Sequence, residues 1–267
     1  MAHFIAADDE LKSERLEARL SKEKKMLLKK AAKLSHNSLS DFIIHTLVEK
    51  ANKIIREYNT LELSEQDSKL FIDNLVSAPE AGEKLKQAVK KYKNNKSWFM
   101  PDDKVEIKIF SQDYIRKDFS CGNSRLDNYI KDRASKDIKY NVAATNVLTQ
   151  GNTIIGYYTL SSYSIKSVII PEPIRVKLPK YNVIPATLLG RLAVDEKYQG
   201  QGYGEFLLIH AMEKSLIASN EVASMALCVD AINDKAKKFY KQYDFVEFKD
   251  AETKLFISME KIAEIFN

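Results

Sequence analysis

From Ser13 to Leu20 apolar and charged residues alternate, with Leu16, Ala18 and Leu20 set against Arg15, Glu17 and Arg19. That is the period of a half-buried strand. From Ser21 the period lengthens. Leu27, Leu28, Ala31, Ala32 and Leu34 share one stripe of a helix that Ser21 can cap, with lysines on the wet side. Ser38-Leu39-Ser40-Asp41 is a capping box that opens a second helix through Ile44, Leu47, Val48, Ala51, Ile54 and Ile55. A second box, Ser64 to Asp67, leads into Phe71, Ile72, Leu75 and Val76, and beyond Pro79 a further helix carries Leu85, Ala88, Val89 and Tyr92. The polar stretch 94–103, with Pro101, then reads as a joint between domains.

Past the joint the periods mix. The pattern predicts strands over 105–110, 142–149, 153–164, 188–194, 224–229 and 254–260. Helices are predicted near 113–118 and over 124–138, 203–219 and 233–242. Strands interleaved with helices imply an α/β sheet covered on both faces. At its centre lies Gly190-Arg191-Leu192-Ala193-Val194, a short turn, and Gln199-Gly200-Gln201-Gly202-Tyr203-Gly204 opening an apolar helix. Glycines there let the backbone bend tightly and approach a bulky anion, so the turn is suited to phosphate. Its spacing is neither that of a P-loop nor that of the dinucleotide fingerprint.

Charge changes the picture through its distribution. The 267 residues carry a formal net charge of +5, which permits a nucleic-acid partner without requiring one. Residues 12–33 hold nine Lys or Arg against three Glu, and residues 61–83 hold six acids against Lys69 alone. Residues 166–191 hold five bases against Glu172. The two cysteines, Cys121 and Cys228, and four scattered histidines offer no metal-ligand spacing, so no metal is expected. No leader or spanning segment is read, which points to a cytoplasmic protein without a membrane partner.

The strand-helix-helix pattern cannot bury enough surface alone and should pair with a second copy. Over Ser13–Ile55 it resembles the ribbon-helix-helix antitoxins that accompany acetyltransferase toxins. The resemblance implies a homodimer whose two-stranded ribbon reads operator DNA through Arg15, Glu17 and Arg19, a mode known for other β-ribbons. In that family the following helices form a neutralising arm on the toxin, and an acidic arm suits a basic surface. The plainer alternatives are a solvated strand face and a solvated linker.

The glycine turn resembles the coenzyme A loop of the GNAT acetyltransferases. Three further matches support that: Leu192-Ala193-Val194 before it, Asn233-Asp234-Lys235-Ala236-Lys237-Lys238-Phe239-Tyr240, and Tyr243-Asp244-Phe245-Val246. Asp244 stands where the family usually has glycine. Phe119-Ser120-Cys121-Gly122 with Leu126-Asp127-Asn128-Tyr129 resembles the toxin branch. The whole is identified as an α/β GNAT domain (104–267), preceded by a small ribbon-helix-helix domain (1–57), a helical neutralising arm (58–97) and a linker (98–103). The resemblance implies a toxin fused to its own autorepressing antitoxin.

The resemblance implies acetyl-CoA held by Leu192, Ala193, Val194, residues Gln199, Gly200, Gln201, Gly202, Tyr203 and Gly204, and Asn233 and Phe239. Tyr240 is implied as general acid toward the departing thiolate. The central strand has no carboxylate before Asp195. An α-amine, with a reference pKa near 8 against about 10.4 for lysine, needs a base less. That fits the implied acceptor, aminoacyl-tRNA, bound along Lys166, Arg175, Lys177, Lys180 and Arg191, or by Lys131, Arg133, Lys136 and Lys139, though either group could be a solvated face. The other readings are transfer to a protein or small-molecule amine, and a repressor with an inactive CoA-binding domain. Cys121 lacks a neighbouring histidine base and reads as packing rather than as a nucleophile.

Overall fold

The structure, a computed structural model, describes residues 17–58, 60–94, 105–167 and 183–267. The chain divides near Arg56 and Glu57 into two compact units.

In the first, helix α1 (Lys22–Leu34) starts where Ser21 accepts the Lys24 amide, and α2 (Leu39–Tyr58) follows the Ser38–Asp41 box, whose hydroxyl and amide both engage. Ala32 is buried, yet Met26, Leu27, Leu34, Ile44, Leu47 and Val48 are each 50–74% exposed. The apolar stripes that predicted these helices therefore find little cover within one copy. Residues 17–20 form no strand in the single chain. Residues 13–16, with Arg15, lie outside the described residues.

The second unit is an eight-stranded sheet. Strands β2 (Val105–Ile109), β3 (Ala144–Gln150), β4 (Thr153–Lys166), β5 (Val183–Val194), β6 (Ala226–Asp230), β8 (Lys254–Ser258) and β7 (Val246–Glu247) lie side by side in that order, while β1 (Thr60–Glu62) joins β4. Every pair is antiparallel except β5 with β6 and β1 with β4. Alternation sorts the core into two faces. Leu189, Leu227, Val229, Leu255 and Ile257 meet α7 (Tyr203–Ser219) and α9 (Met259–Phe266), while Ile184, Ala186, Ala226, Cys228 and Phe256 point to the other side.

The predicted arm is built into this unit. Helix α3 (Glu65–Val76) places Phe71 and Ile72, both fully buried, on the face with Phe256, and the Phe71 and Phe256 ring centroids are 4.8 Å apart. Helix α4 (Glu83–Asn94) buries Leu85, Ala88 and Val89 on the opposite face beside α7. Strand β1 pairs with the half of β4 that β3 leaves open, in register Thr60↔Ser164 to Glu62↔Lys166. One segment thus holds both faces of the sheet.

Some sequence expectations change. The helix expected near 113–118 is a run of turns, because Ile115 bridges to Thr153, its amide donating to Asn152 O and its carbonyl accepting from the Ile154 amide. The helix expected over 124–138 is broken into α5 (Ser124–Asn128), a π-helical turn (Tyr129–Arg133) and α6 (Ala134–Lys139). The strand expected over 254–260 stops at Ser258, which caps α9 by accepting the Lys261 amide.

Candidate active site

Strands β5 and β6 pair from Thr187↔Leu227 to Leu189↔Val229 and then part. The cause sits on the other edge of β5: Leu160 faces Leu189 and Thr159 faces Arg191, so Gly190 is an extra residue, a bulge that bends the strand. Beyond it the Asp195 amide donates to Ile155 O at 2.9 Å. Successive amides alternate in a strand, so those of Leu192 and Val194 face the edge that β6 has left. Two backbone donors in a dividing sheet can hold an extended amide chain and polarise a carbonyl laid between them.

The glycine turn closes this opening. A 3-10 turn (Glu196–Tyr198) leads to Gly200 at φ +77° and Gly202 at φ +89°. Both are in the left-handed region, which glycine enters without a Cβ penalty. Gly202 caps α7 and brings no side chain to its first-turn amides. An anion is then the group best suited to that helix end. The Gln199 Nε2 donates to Val194 O at 3.0 Å and Cys121 O at 3.1 Å, tying the turn to the strand end. Gln201 likewise binds Lys197 O. Asp195 is spent on the backbone, accepting the Ser120 and Lys197 amides.

Helix α8 (Asp234–Lys241) begins at Asn233, whose Oδ1 accepts the Ala236 amide and leaves its NH2 for a ligand. A Cβ built on Gly204 would lie 3.9 Å from the Phe239 ring and 4.0 Å from Val194. Strand end, glycine turn and α8 therefore converge. Tyr240 is 7% exposed, its ring centroid 5.4 Å from those of both Phe239 and Phe245, and burial pushes its phenol pKa up. It is a neutral hydrogen-bond donor throughout the physiological range. Gly156, which the sequence did not single out, is also required here: a Cβ on it would come within 2.9 Å of Leu207 and 3.1 Å of Ala193 O.

On the far side of β5 the Arg191 guanidinium lies 3.7 Å from the Tyr129 ring centre, and Tyr129 stacks on Tyr157 at 5.8 Å. Arg191 and Lys166 do not form one patch. Arg191 pairs with Thr159 and Lys166 with Val183, seven residues apart along β4, about 23 Å at 3.3 Å per residue. Lys166 is bound to Glu62 of the arm at 2.8 Å. Arg175, Lys177 and Lys180 lie outside the described residues. Of the alternative group, Arg133, Lys136 and Lys139 are exposed and Lys131 half-buried. Glu17 and Arg19 are exposed. Burial pushes the Cys121 and Cys228 thiols each up to about 12, and Asp127 adds to the shift at Cys121. Neither is a nucleophile at neutral pH. Among the described residues no group of three or more His, Cys, Asp or Glu could hold a metal, and no helix is long and apolar enough to cross a membrane.

Family models agree with this geometry. Residues 141–247 match the acetyltransferase (GNAT) domain, and residues 15–94 match the family described as antitoxin TacA 1-like. A tRNA-acetylating toxin of Mycobacterium tuberculosis is 34% identical over 127 residues, 48% of this chain and 75% of that protein. The chain belongs to the GNAT acetyltransferase toxins. Its N-terminal side is a TacA-like antitoxin region. Antitoxin TacA3 of Salmonella typhimurium is 33% identical over 73 residues, 27% of this chain and 76% of its own length. A crystal structure of AtaTR bound with AcCoA superposes with a TM-score of 0.56 at 31% identity, over 61% of this chain and 98% of that one. The second unit is thus a GNAT N-acetyltransferase with an antitoxin-type arm seated on it.

Proposed function

We propose that this chain transfers an acetyl group from acetyl-CoA to the α-amine of an aminoacyl-tRNA, and that its own arm restrains it. The parting of β5 from β6 beside a helix that opens on glycines carries this reading. Acetyl-CoA supplies an activated thioester. The first-turn amides of α7 hold its pyrophosphate, the Leu192 and Val194 amides hold the pantetheine arm and polarise the thioester carbonyl, and the Asn233 NH2 and Phe239 ring flank it. As the C–N bond forms and the C–S bond breaks, Tyr240 donates its proton to the departing sulfur, and the proton that the amine loses passes through solvent to restore the neutral phenol. With Asp195 committed to backbone amides, β5 offers the acceptor no strong base, which favours an amine that is already partly neutral at pH 7. The relative named for tRNA acetylation and the neighbour bound with AcCoA support both substrates.

The arm restrains the enzyme by covering an edge of the sheet beyond the cofactor opening, where RNA would lie. Glu62 neutralises Lys166, and β1 fills the open edge of β4, so an RNA backbone is denied both charge and surface there. The N-terminal unit serves as a homodimer on operator DNA, with Arg15, Glu17 and Arg19 on the ribbon and the apolar faces of α1 and α2 covered by the second copy. Residues 1–57, 58–97, 98–103 and 104–267 are the corresponding segments.

The test is transfer of label from acetyl-CoA to charged tRNA, by the whole chain and by the Phe71→Ala chain cut between Asn94 and Val105, from which the arm can part; restraint by the arm means faster transfer by the second. Label should enter the aminoacyl ester, and Tyr240→Phe should slow it about 10²- to 10⁴-fold, the usual worth of a general acid. Label on lysine peptides or small amines instead would overturn the acceptor. Undiminished transfer in Tyr240→Phe would overturn the role of that phenol.

A further inference from the structure

The arm changes faces of the sheet between α3 and α4, and the crossing is marked by a contact that the acetyltransferase chemistry does not need. Asp244 lies in the turn between α8 and β7 with φ +62°, a left-handed conformation that costs a residue with a Cβ and favours glycine. Its carboxylate gives the aspartate a role there. One oxygen accepts the Gly82 amide at 2.6 Å, and the same oxygen lies 3.5 Å from the ammonium of Lys261, which is 6% exposed. The other stands 2.8 Å from where a Cβ on Gly82 would be. The two positions are therefore matched. The carboxylate needs a glycine opposite it, and the Gly82 amide, just before α4, needs an acceptor.

We propose that Asp244 is the residue by which the acetyltransferase unit recognises its own arm. It acts as a latch that accepts a segment presenting a glycine amide at the crossing and rejects one with a side chain there. The strained turn is stability given up in the enzyme for a bond made only when the arm is seated. Lys261 holds the carboxylate so that it cannot swing away from an intruding Cβ without losing an ion pair. Neighbouring contacts support the same junction, since Lys84 reaches Gln242 and lies over the Tyr243 ring at 5.2 Å. The inference concerns docking alone and stands whichever amine is the acceptor.

Amide hydrogen exchange on the whole chain tests it, read separately over 83–94 and over β6 and β8. Asp244→Gly relaxes the turn and deletes the latch. Exchange over 83–94 should rise about tenfold to a hundredfold, the range for losing a charge-assisted bond, while β6 and β8 exchange no faster. Gly82→Ala should raise exchange over 83–94 in the natural background and add little in Asp244→Gly. Asp244→Asn keeps one oxygen toward Gly82 and should fall between. Unchanged exchange over 83–94 in Asp244→Gly would overturn the proposal. So would a Gly82→Ala effect of equal size in both backgrounds, which would make it a matter of helix capping. Equal loosening of β6 and β8 would show a general loss of fold and overturn it too.

Discussion

Asp67 is 1% exposed, an unusual place for a carboxylate, and its surroundings account for it. As part of the Ser64–Asp67 box it should turn back to its own helix. The box is half formed: the Asp67 amide does donate to Ser64 Oγ, but the carboxylate reaches across to the Lys249 and Asp250 amides at 2.6 and 2.9 Å. It caps a loop of the enzyme rather than its own helix, and Ser64 bonds Asp250 beside it. Asp67→Ala takes the acceptor away from the Lys249 and Asp250 amides, which belong to exposed residues. We expect a loss of about 3 kcal/mol, from roughly 1.5–3 kcal/mol per bond to a charged group, read as a lower urea midpoint. Asp67→Asn keeps one acceptor oxygen and should lose about half of that. If Asn costs as much as Ala, the charge matters and the bonds do not.

At the scale of elements, α7 carries a pH dependence. His210 Nδ1 is 2.7 Å from the Tyr158 hydroxyl, and burial, helped by Lys214, lowers its pKa from 6.5 to about 4. The folded chain therefore resists a proton that the unfolded chain takes up near pH 6.5. Stability is intact above that pH and is lost as pH falls toward 4, by about 3 kcal/mol in all at 1.36 kcal/mol per pKa unit. Unfolding midpoints between pH 7 and 5 should fall accordingly, and His210→Asn should flatten that slope. A slope unchanged in the variant would assign it to other groups. The same helix shows what sequence can reveal. Its glycine opening and apolar run are local signals, and so are the strand and aromatic motifs around it, so the cofactor opening was legible. Strand β1 was not, because three residues gain strand character only from β4, about a hundred positions away. Gly156 was opaque for a similar reason, and Asp244 was legible only as a departure from the family's glycine: each is fixed by what approaches it, Leu207 in one case and Gly82 in the other. The caps at Ser21, Ser38 and Ser64 were readable because a cap involves three neighbouring residues.

In the second unit as a whole, the arm is a structural part of the enzyme. Phe71, Ile72 and Leu85 are fully buried in two cores on opposite faces, and β1 completes an edge between them. Each fully buried side chain of that size is worth about 1.5–3 kcal/mol, and Asp67 and Asp244 add charge-assisted bonds. Docking this extensive should not depend on the covalent joint. Cutting the chain at a protease site inserted between Asn94 and Val105 turns an intramolecular contact into a bimolecular one and removes only the effective concentration that a covalent joint provides, of roughly millimolar order. The two pieces should still co-elute in gel filtration at micromolar concentration and separate only in denaturant. Phe71→Ala, at a cost of about 3–5 kcal/mol for a core phenylalanine, should let them part after the cut while the uncut variant stays folded. Separation of the cut natural chain at micromolar concentration would mean that the joint, and not the two-faced grip of the arm, holds the antitoxin region on the enzyme.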